Sequence, residues 1–134
     1  MRARDLMRLA EAARERAYAP YSDFLVGAAL LGKSGKVYLG CNVENAGYSA
    51  SNCAERTAFF KAISDGEREF QAIAIVGGKR GEKPDFCVPC GVCRQVMAEF
   101  CGEDFPIVLG TAENYKIHTL ASLLPLAFTP DSLS

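Results

Sequence analysis

Residues 24–41 read FLVGAALLGKSGKVYLGC. Phe24 to Leu31 is a near-continuous apolar run, the pattern of a strand covered on both faces. GKSG at 32–35 supplies a turn, and Lys36 to Cys41 returns as a second strand. The segment is therefore a hairpin. Upstream, residues 3–17 carry a helical pattern, with Leu6, Leu9, Ala10, Ala13 and Ala17 on one face. Pro20 ends that helix. Downstream, NVENAGYSASN at 42–52 is a polar loop, and residues 53–65 form a second helix. Ser51 or Asn52 can cap its start, Ala54, Ala58 and Ala62 line its apolar side, and Gly66 stops it.

The rest of the chain extends this pattern. Ala72 to Val76 is a buried strand, and 77–89 is a loop containing Gly, Lys and Pro. A third helix starts near Gly91, with Val92, Val96 and Phe100 among its buried positions. Ile107 to Leu109 is a fourth strand, and Lys116 to Thr119 a fifth. Helix, hairpin, helix, strand, helix, strand in this order implies a mixed sheet with helices on both faces. There is no repeat, low-complexity tract or linker, so residues 1–134 read as one domain.

Composition narrows the function classes. The 134 residues carry 15 basic and 16 acidic side chains, for a net charge of -1. A protein that binds nucleic acid through a broad basic surface would not have this balance. Hydrophobic residues make up 49% and charged residues 23%, as in a folded soluble domain. The first twenty residues, MRARDLMRLAEAARERAYAP, are charged throughout and offer no signal-peptide core. The longest mostly apolar run, 24–31, falls well short of the ~20 residues of a membrane helix. A cytoplasmic protein without a membrane partner is expected. In that setting the six cysteines read as ligands, reactive thiols or core residues, not as disulfides. Cys41 and Cys101 fit small buried hydrophobes as well as anything else.

Three cysteines occupy special positions. Cys53 lies at the start of the second helix, and Cys90 and Cys93, in PCGVC, at the start of the third. A two-residue gap lets two thiolates reach one tetrahedral ion. Helix starts that follow strands in an open sheet converge at one edge, so all three thiolates can meet there. Three protein ligands leave a fourth zinc position open, as in a catalytic site. Glu55, two residues after Cys53, can then reach a water at that position. Three thiolates overcompensate a divalent cation, so the site needs positive partners. The two helix N-termini supply part of this, and Arg56 and Arg94 can donate hydrogen bonds to thiolates. Cys87 in CVPCGVC offers a competing arrangement, a closed four-cysteine structural site.

These residues resemble the cytidine deaminase family in its small three-cysteine form. The resemblance runs nearly end to end: AYAPYSDFLVGAALL at 17–31, GCNVENAGYS at 40–49, CAERTA at 53–58, PCGVCRQV at 89–96 and LLPLAF at 123–128. It implies a three-layer α/β/α fold with a mixed five-stranded sheet and one Zn2+ per subunit on Cys53, Cys90 and Cys93. It implies Glu55 as the proton shuttle, with Arg56 behind the thiolates. Asn42 and Glu44 would grip the ribose hydroxyls, Phe24 would wall the pyrimidine, and Ala54 would contact the substrate. Tyr48 and Phe128 would complete a neighbouring subunit's pocket in a homotetramer. Cys53 stands where the wider deaminase signature has His, and the only histidine, His118, is read as a surface or partly packed residue.

The implied reaction is hydrolysis of cytidine and deoxycytidine to uridine and deoxyuridine plus ammonia, in pyrimidine salvage. Zinc acidifies a water, and Glu55 carries one proton to ring N3 and a second to the leaving amine. Two alternatives stand beside it: a deaminase of a modified cytosine nucleoside, of the blasticidin type, and a non-catalytic zinc-stabilised binding module that would need Cys87. The loop 77–89, GGKRGEKPDFCVP, is longer and more charged than the family pattern implies.

Overall fold

A computed structural model describes residues 1–133; the last residue of the proposed 1–134 domain lies outside them. The elements are α1 (Ala3–Arg14), β1 (Phe24–Gly32), β2 (Val37–Cys41), α2 (Ala54–Ser64), β3 (Phe70–Lys79), α3 (Gly91–Phe100), β4 (Pro106–Gly110), β5 (Tyr115–Thr119) and α4 (Leu120–Leu123). The five strands form one sheet in the order β2-β1-β3-β4-β5. Only β3 and β4 run parallel, so the sheet is mixed.

Strand alternation sorts the core into two layers. Ala29, Leu31, Ala74, Val76 and Val108 face Leu6, Met7 and Ala10 of α1. Ala28, Leu30, Ile73, Ile75, Ile107 and Leu109 face Ala54, Ala58, Phe59 and Ala62 of α2 and Met97 and Ala98 of α3. The apolar run of β1 is buried along almost its whole length because each face has its own helical layer. Two glycines let the helices lie this close. A Cβ at Gly27 would stand 2.1 Å from the Ala10 carbonyl oxygen, and one at Gly40 would stand 2.3 Å from that of Ala54. Gly40 thus seats the first turn of α2, which follows Cys53, directly on the sheet.

Several boundaries differ from those read in the sequence. Helix α1 stops at Arg14, three residues early, because the chain must turn for Tyr18 to pair with Val43. Its buried side includes Met7 and Arg14, while Leu9 and Ala17 are only half-buried. The Arg14 guanidinium donates to the carbonyls of Leu25 (3.1 Å), Gly78 (2.8 Å) and Lys79 (3.1 Å), which satisfies a buried cation. Neither Ser51 nor Asn52 caps α2; Cys53 is the N-cap residue and its side chain makes no capping bond. Gly66 does end that helix, with φ +96° and a bond from its N–H to the Ile63 carbonyl. Strand β3 runs through Gly77, Gly78 and Lys79, which pair with Val26, Leu25 and Phe24. Ladder bonds need no side chains, so the apolar pattern ends before the strand does. On α3 the buried residues are Cys93, Met97 and Ala98; Val96 and Phe100 are half-buried and Val92 is exposed. That helix is turned to bring Cys93 inward.

Candidate metal centre and cavity

The N-termini of α2 and α3 bring three thiols together. Cys53 and Cys90 are the N-cap residues of the two helices, and Cys93 sits in the first turn of α3. The Cys53 and Cys90 sulfurs are 3.7 Å apart, and those of Cys90 and Cys93 are 3.4 Å apart. All three lie within 4.8 Å of one another. Sulfurs placed ~2.3 Å from one tetrahedral zinc ion would be separated by ~3.8 Å, so the donor set fits such an ion. Cys87 is not in this group. Its sulfur packs beside β3, 2.8 Å from where a Cβ of Gly77 would be, and burial pushes its thiol up to about 12. The closed four-cysteine arrangement is not formed.

Charges around the thiols are arranged as an electron-rich centre requires. The Arg56 guanidinium donates from Nη2 to the Cys53 sulfur at 3.3 Å. Hydrogen bonding from Cys93 and then Arg56 pulls the Cys53 thiol down to about 5, against the effect of burial. Both helix N-termini add partial positive charge at the same place. Arg94 plays no part: its Nε donates to the Pro89 carbonyl at 2.8 Å and its Nη1 to that of Leu123 at 2.6 Å. It ties the loop before α3 to the C-terminal segment.

Glu55 is 4% exposed, in the first turn of α2. Burial pushes its carboxyl up to about 7, and the negative charge of Cys53 adds to this. Ala54, Glu55 and Arg56 line a cavity of about 900 Å³ together with Cys53 and Cys90. Cys93, 1% exposed, stands behind them.

Asn42, Glu44 and Tyr48 line the same cavity from the polar loop. Asn42 accepts from the Val26 N–H at 2.9 Å and donates to the Phe24 carbonyl at 2.9 Å, so its amide is clamped to β1. Glu44 accepts from the N–H groups of Tyr21 and Ser22, both at 3.0 Å, and from the Ser22 hydroxyl. These bonds hold its carboxyl below the usual range. Phe24 and Phe128 are not among the lining residues. Phe24 heads β1 and is 37% exposed; Phe128 lies in the C-terminal segment at 58%, and Tyr48 stands out from the chain at 92%. Tyr21, Ser22, Val26, Asn52 and Cys87 also line the cavity and were not singled out as its lining in the sequence. The donors to Glu44 are mostly backbone groups, which leave no mark in a sequence.

A family model described as the cytidine and deoxycytidylate deaminase zinc-binding region matches residues 1–109. A cytidine deaminase of Sporosarcina psychrophila is 54% identical over 91% of this chain and 88% of its own length. One from Halalkalibacterium halodurans is 50% identical over 96% of both chains. Among solved structures, a cytidine deaminase from Burkholderia pseudomallei superposes with a TM-score of 0.86 at 49% identity, covering 96% of this chain and 100% of its own. The crystal structure of cytidine deaminase from Mycobacterium tuberculosis gives 0.79 at 39% identity, covering 92% and 94%.

Proposed function

This chain belongs to the cytidine and deoxycytidylate deaminase zinc-binding family, and from that premise we propose how its residues divide the chemistry. The protein is a zinc-dependent enzyme that hydrolyses cytidine to uridine and ammonia. The observation that carries the assignment of roles is the buried Glu55 beside three grouped thiols, with Glu55, Cys53 and Cys90 on the wall of one cavity and Cys93 behind it. Zinc held by Cys53, Cys90 and Cys93 supplies the acidification of water at neutral pH.

The remaining steps belong to the chain. Glu55 delivers a proton to ring N3, which makes C4 electrophilic. Water adds at C4 and gives up two protons, one replacing the proton passed to N3 and one that Glu55 relays to the exocyclic amine, so that ammonia leaves and the C4 oxygen becomes the uridine carbonyl. Its desolvated carboxyl, held between Cys53 and Arg56 in sequence, suits a group that must take and give a proton in turn. Arg56 offsets the thiolate charge at Cys53. Asn42 and Glu44 hold the ribose hydroxyls, and contacts made mainly to the 3′-hydroxyl make deoxycytidine a second substrate. Ala54 contacts the base from the helix start, and Phe24 walls the pyrimidine.

The exposure of Tyr48 and Phe128 supports a shared site, in which each completes the cavity of a neighbouring copy in a homotetramer. We place the enzyme in the cytoplasm, acting on free nucleosides in pyrimidine salvage; among the described residues no helix is long and apolar enough to cross a membrane. The decisive experiment is Glu55→Ala, followed by loss of the cytosine absorbance band on mixing with cytidine. Zinc content should be retained while turnover falls by at least ~10²–10⁴. Near-normal turnover in a zinc-replete Glu55→Ala enzyme would remove Glu55 from the mechanism.

A further inference from the structure

Two short backbone bridges connect parts of the cavity wall outside the main sheet. Tyr18 pairs with the 42–44 segment: its N–H donates to the Asn42 carbonyl at 2.9 Å, and its carbonyl accepts from the Glu44 N–H at 2.8 Å. Val43 and Asn52 exchange both of their bonds, at 3.0 and 2.8 Å. The result is a ladder one residue wide. Asn42 and Glu44 flank its middle rung, and Cys53 directly follows its last.

The side chains of the last rung continue the connection into α2. Asn52 donates from Nδ2 to the Thr57 hydroxyl at 3.1 Å. That hydroxyl donates in turn to the Cys53 carbonyl at 3.1 Å, which also accepts the Thr57 N–H at 3.0 Å. A helical threonine bonding four residues back is an ordinary local habit. The choice made by Asn52 is not. The N-cap place of α2 is held by Cys53, and the Asn52 amide, one residue earlier, reaches past the N-terminus to the Thr57 side chain. Local helix chemistry does not account for that contact, whereas a joint between loop and helix does.

We propose that Asn52 and Thr57 are positioning residues, a joint that locks the arm bearing Asn42 and Glu44 to the start of α2. The inference rests on the reading of that arm as the ribose grip. The sugar is bound by the arm and the base reacts beside Cys53 and Glu55, so a fixed spacing between them converts sugar binding into orientation of C4. Remote binding energy accelerates a reaction only when it is coupled in this way. Without the joint, the arm would no longer meet the sugar hydroxyls while the base sits beside Cys53 and Glu55.

The test compares cytidine with 2′,3′-dideoxycytidine by kcat/KM, and uridine with 2′,3′-dideoxyuridine by calorimetric binding, in proteins matched for zinc content. The unaltered enzyme should favour the hydroxylated member of each pair by about tenfold or more, as hydrogen bonds to a charged group give. In Thr57→Val and in Asn52→Ala both preferences should collapse toward unity, and Thr57→Ser, which keeps the hydroxyl, should restore them. Should Thr57→Val fail to fold, Asn52→Ala breaks the same joint. Preferences retained in the folded variants would overturn the joint while leaving the ribose grip intact. Equal handling of the paired compounds by the unaltered enzyme would overturn the ribose grip itself, and the joint with it.

Discussion

Cys87 and Cys90 are three residues apart in CVPCGVC, yet only Cys90 joins the thiol group. Spacing alone allowed either. The difference is one of placement: Cys90 caps α3, whereas Cys87 turns toward Gly77 at the end of β3. Cys53→Ser, Cys90→Ser and Cys93→Ser should therefore each lose tight zinc binding, and Cys87→Ala should keep it, as measured by metal content after gel filtration. Zinc lost from Cys87→Ala would place a fourth thiolate at the metal. Arg56 is read by the same logic. Its Nη2 meets the Cys53 sulfur, so Arg56→Ala should weaken zinc affinity by about 10–100-fold. A chelator competition that cannot distinguish the two proteins would refute this. Cys53, Cys90 and Cys93 were legible as candidate ligands from their spacing, which did not by itself exclude Cys87. The idleness of Arg94 was not legible, since it follows from carbonyls of Pro89 and Leu123 that lie far apart along the chain.

At the scale of elements, the site depends on how α2 is seated and how the loops before β1 are held. A Cβ at Gly40 would press on the Ala54 carbonyl, a backbone atom that cannot swing aside. Gly40→Ala should cost about 1–3 kcal/mol of stability and weaken zinc binding by shifting the first turn of α2. Gly91→Ala, with nothing within 4 Å of the added carbon, is the matched control. Thermal melts that rank the two variants equally would contradict the close approach. The loop at Tyr21 and Ser22 is held by Glu44, whose pKa is lowered from 4.5, first by the Ser22 hydroxyl and then by its N–H. A depressed carboxyl stabilises the folded loop fully above its unfolded value, and the contribution is lost as pH falls through the lower folded value. Amide exchange protection at Tyr21 and Ser22 should thus persist through pH 4.5 and decline only below it. Protection that declines already between pH 6 and 5 would show that the ionised Glu44 is not what holds this loop.

For the molecule as a whole, the accessible surface is 7502 Å², against about 6,900 Å² for a compact monomer of this size. The excess fits an apolar C-terminal segment of which Leu123, Leu124 and Ala127 pack on the chain's own core while Leu126 and Phe128 do not. Leu126, at φ 55°, is fully exposed, and Phe128 and Tyr48 are largely so. Exposed apolar groups are what the proposed shared site requires. Phe128→Ala should raise the KM for cytidine with zinc content unchanged, and specific activity should fall when the enzyme is diluted below the dissociation constant of its assembly. Full specific activity from a species with the light-scattering mass of one chain would exclude the shared site.

The sequence by itself determined the three longer helices, the five strands, their order and a thiol-rich candidate metal centre, but not the short α4. Burial on two faces is written into the run from Phe24 to Leu31, and metal chemistry into C-A-E and PCGVC, because both are properties of neighbouring residues. Only the tertiary structure decided which thiols meet, that Arg14 closes the end of α1 on three carbonyls, that β3 extends through two glycines, and that Asn52 reaches Thr57. The thiol group, the Arg14 bonds and the β3 ladder depend on groups brought together from distant parts of the chain, and the Asn52 bond depends on how pairing with Val43 holds that residue. A backbone N–H or carbonyl is the same at every residue, so its partner is set by where the fold places it and not by the letter that carries it.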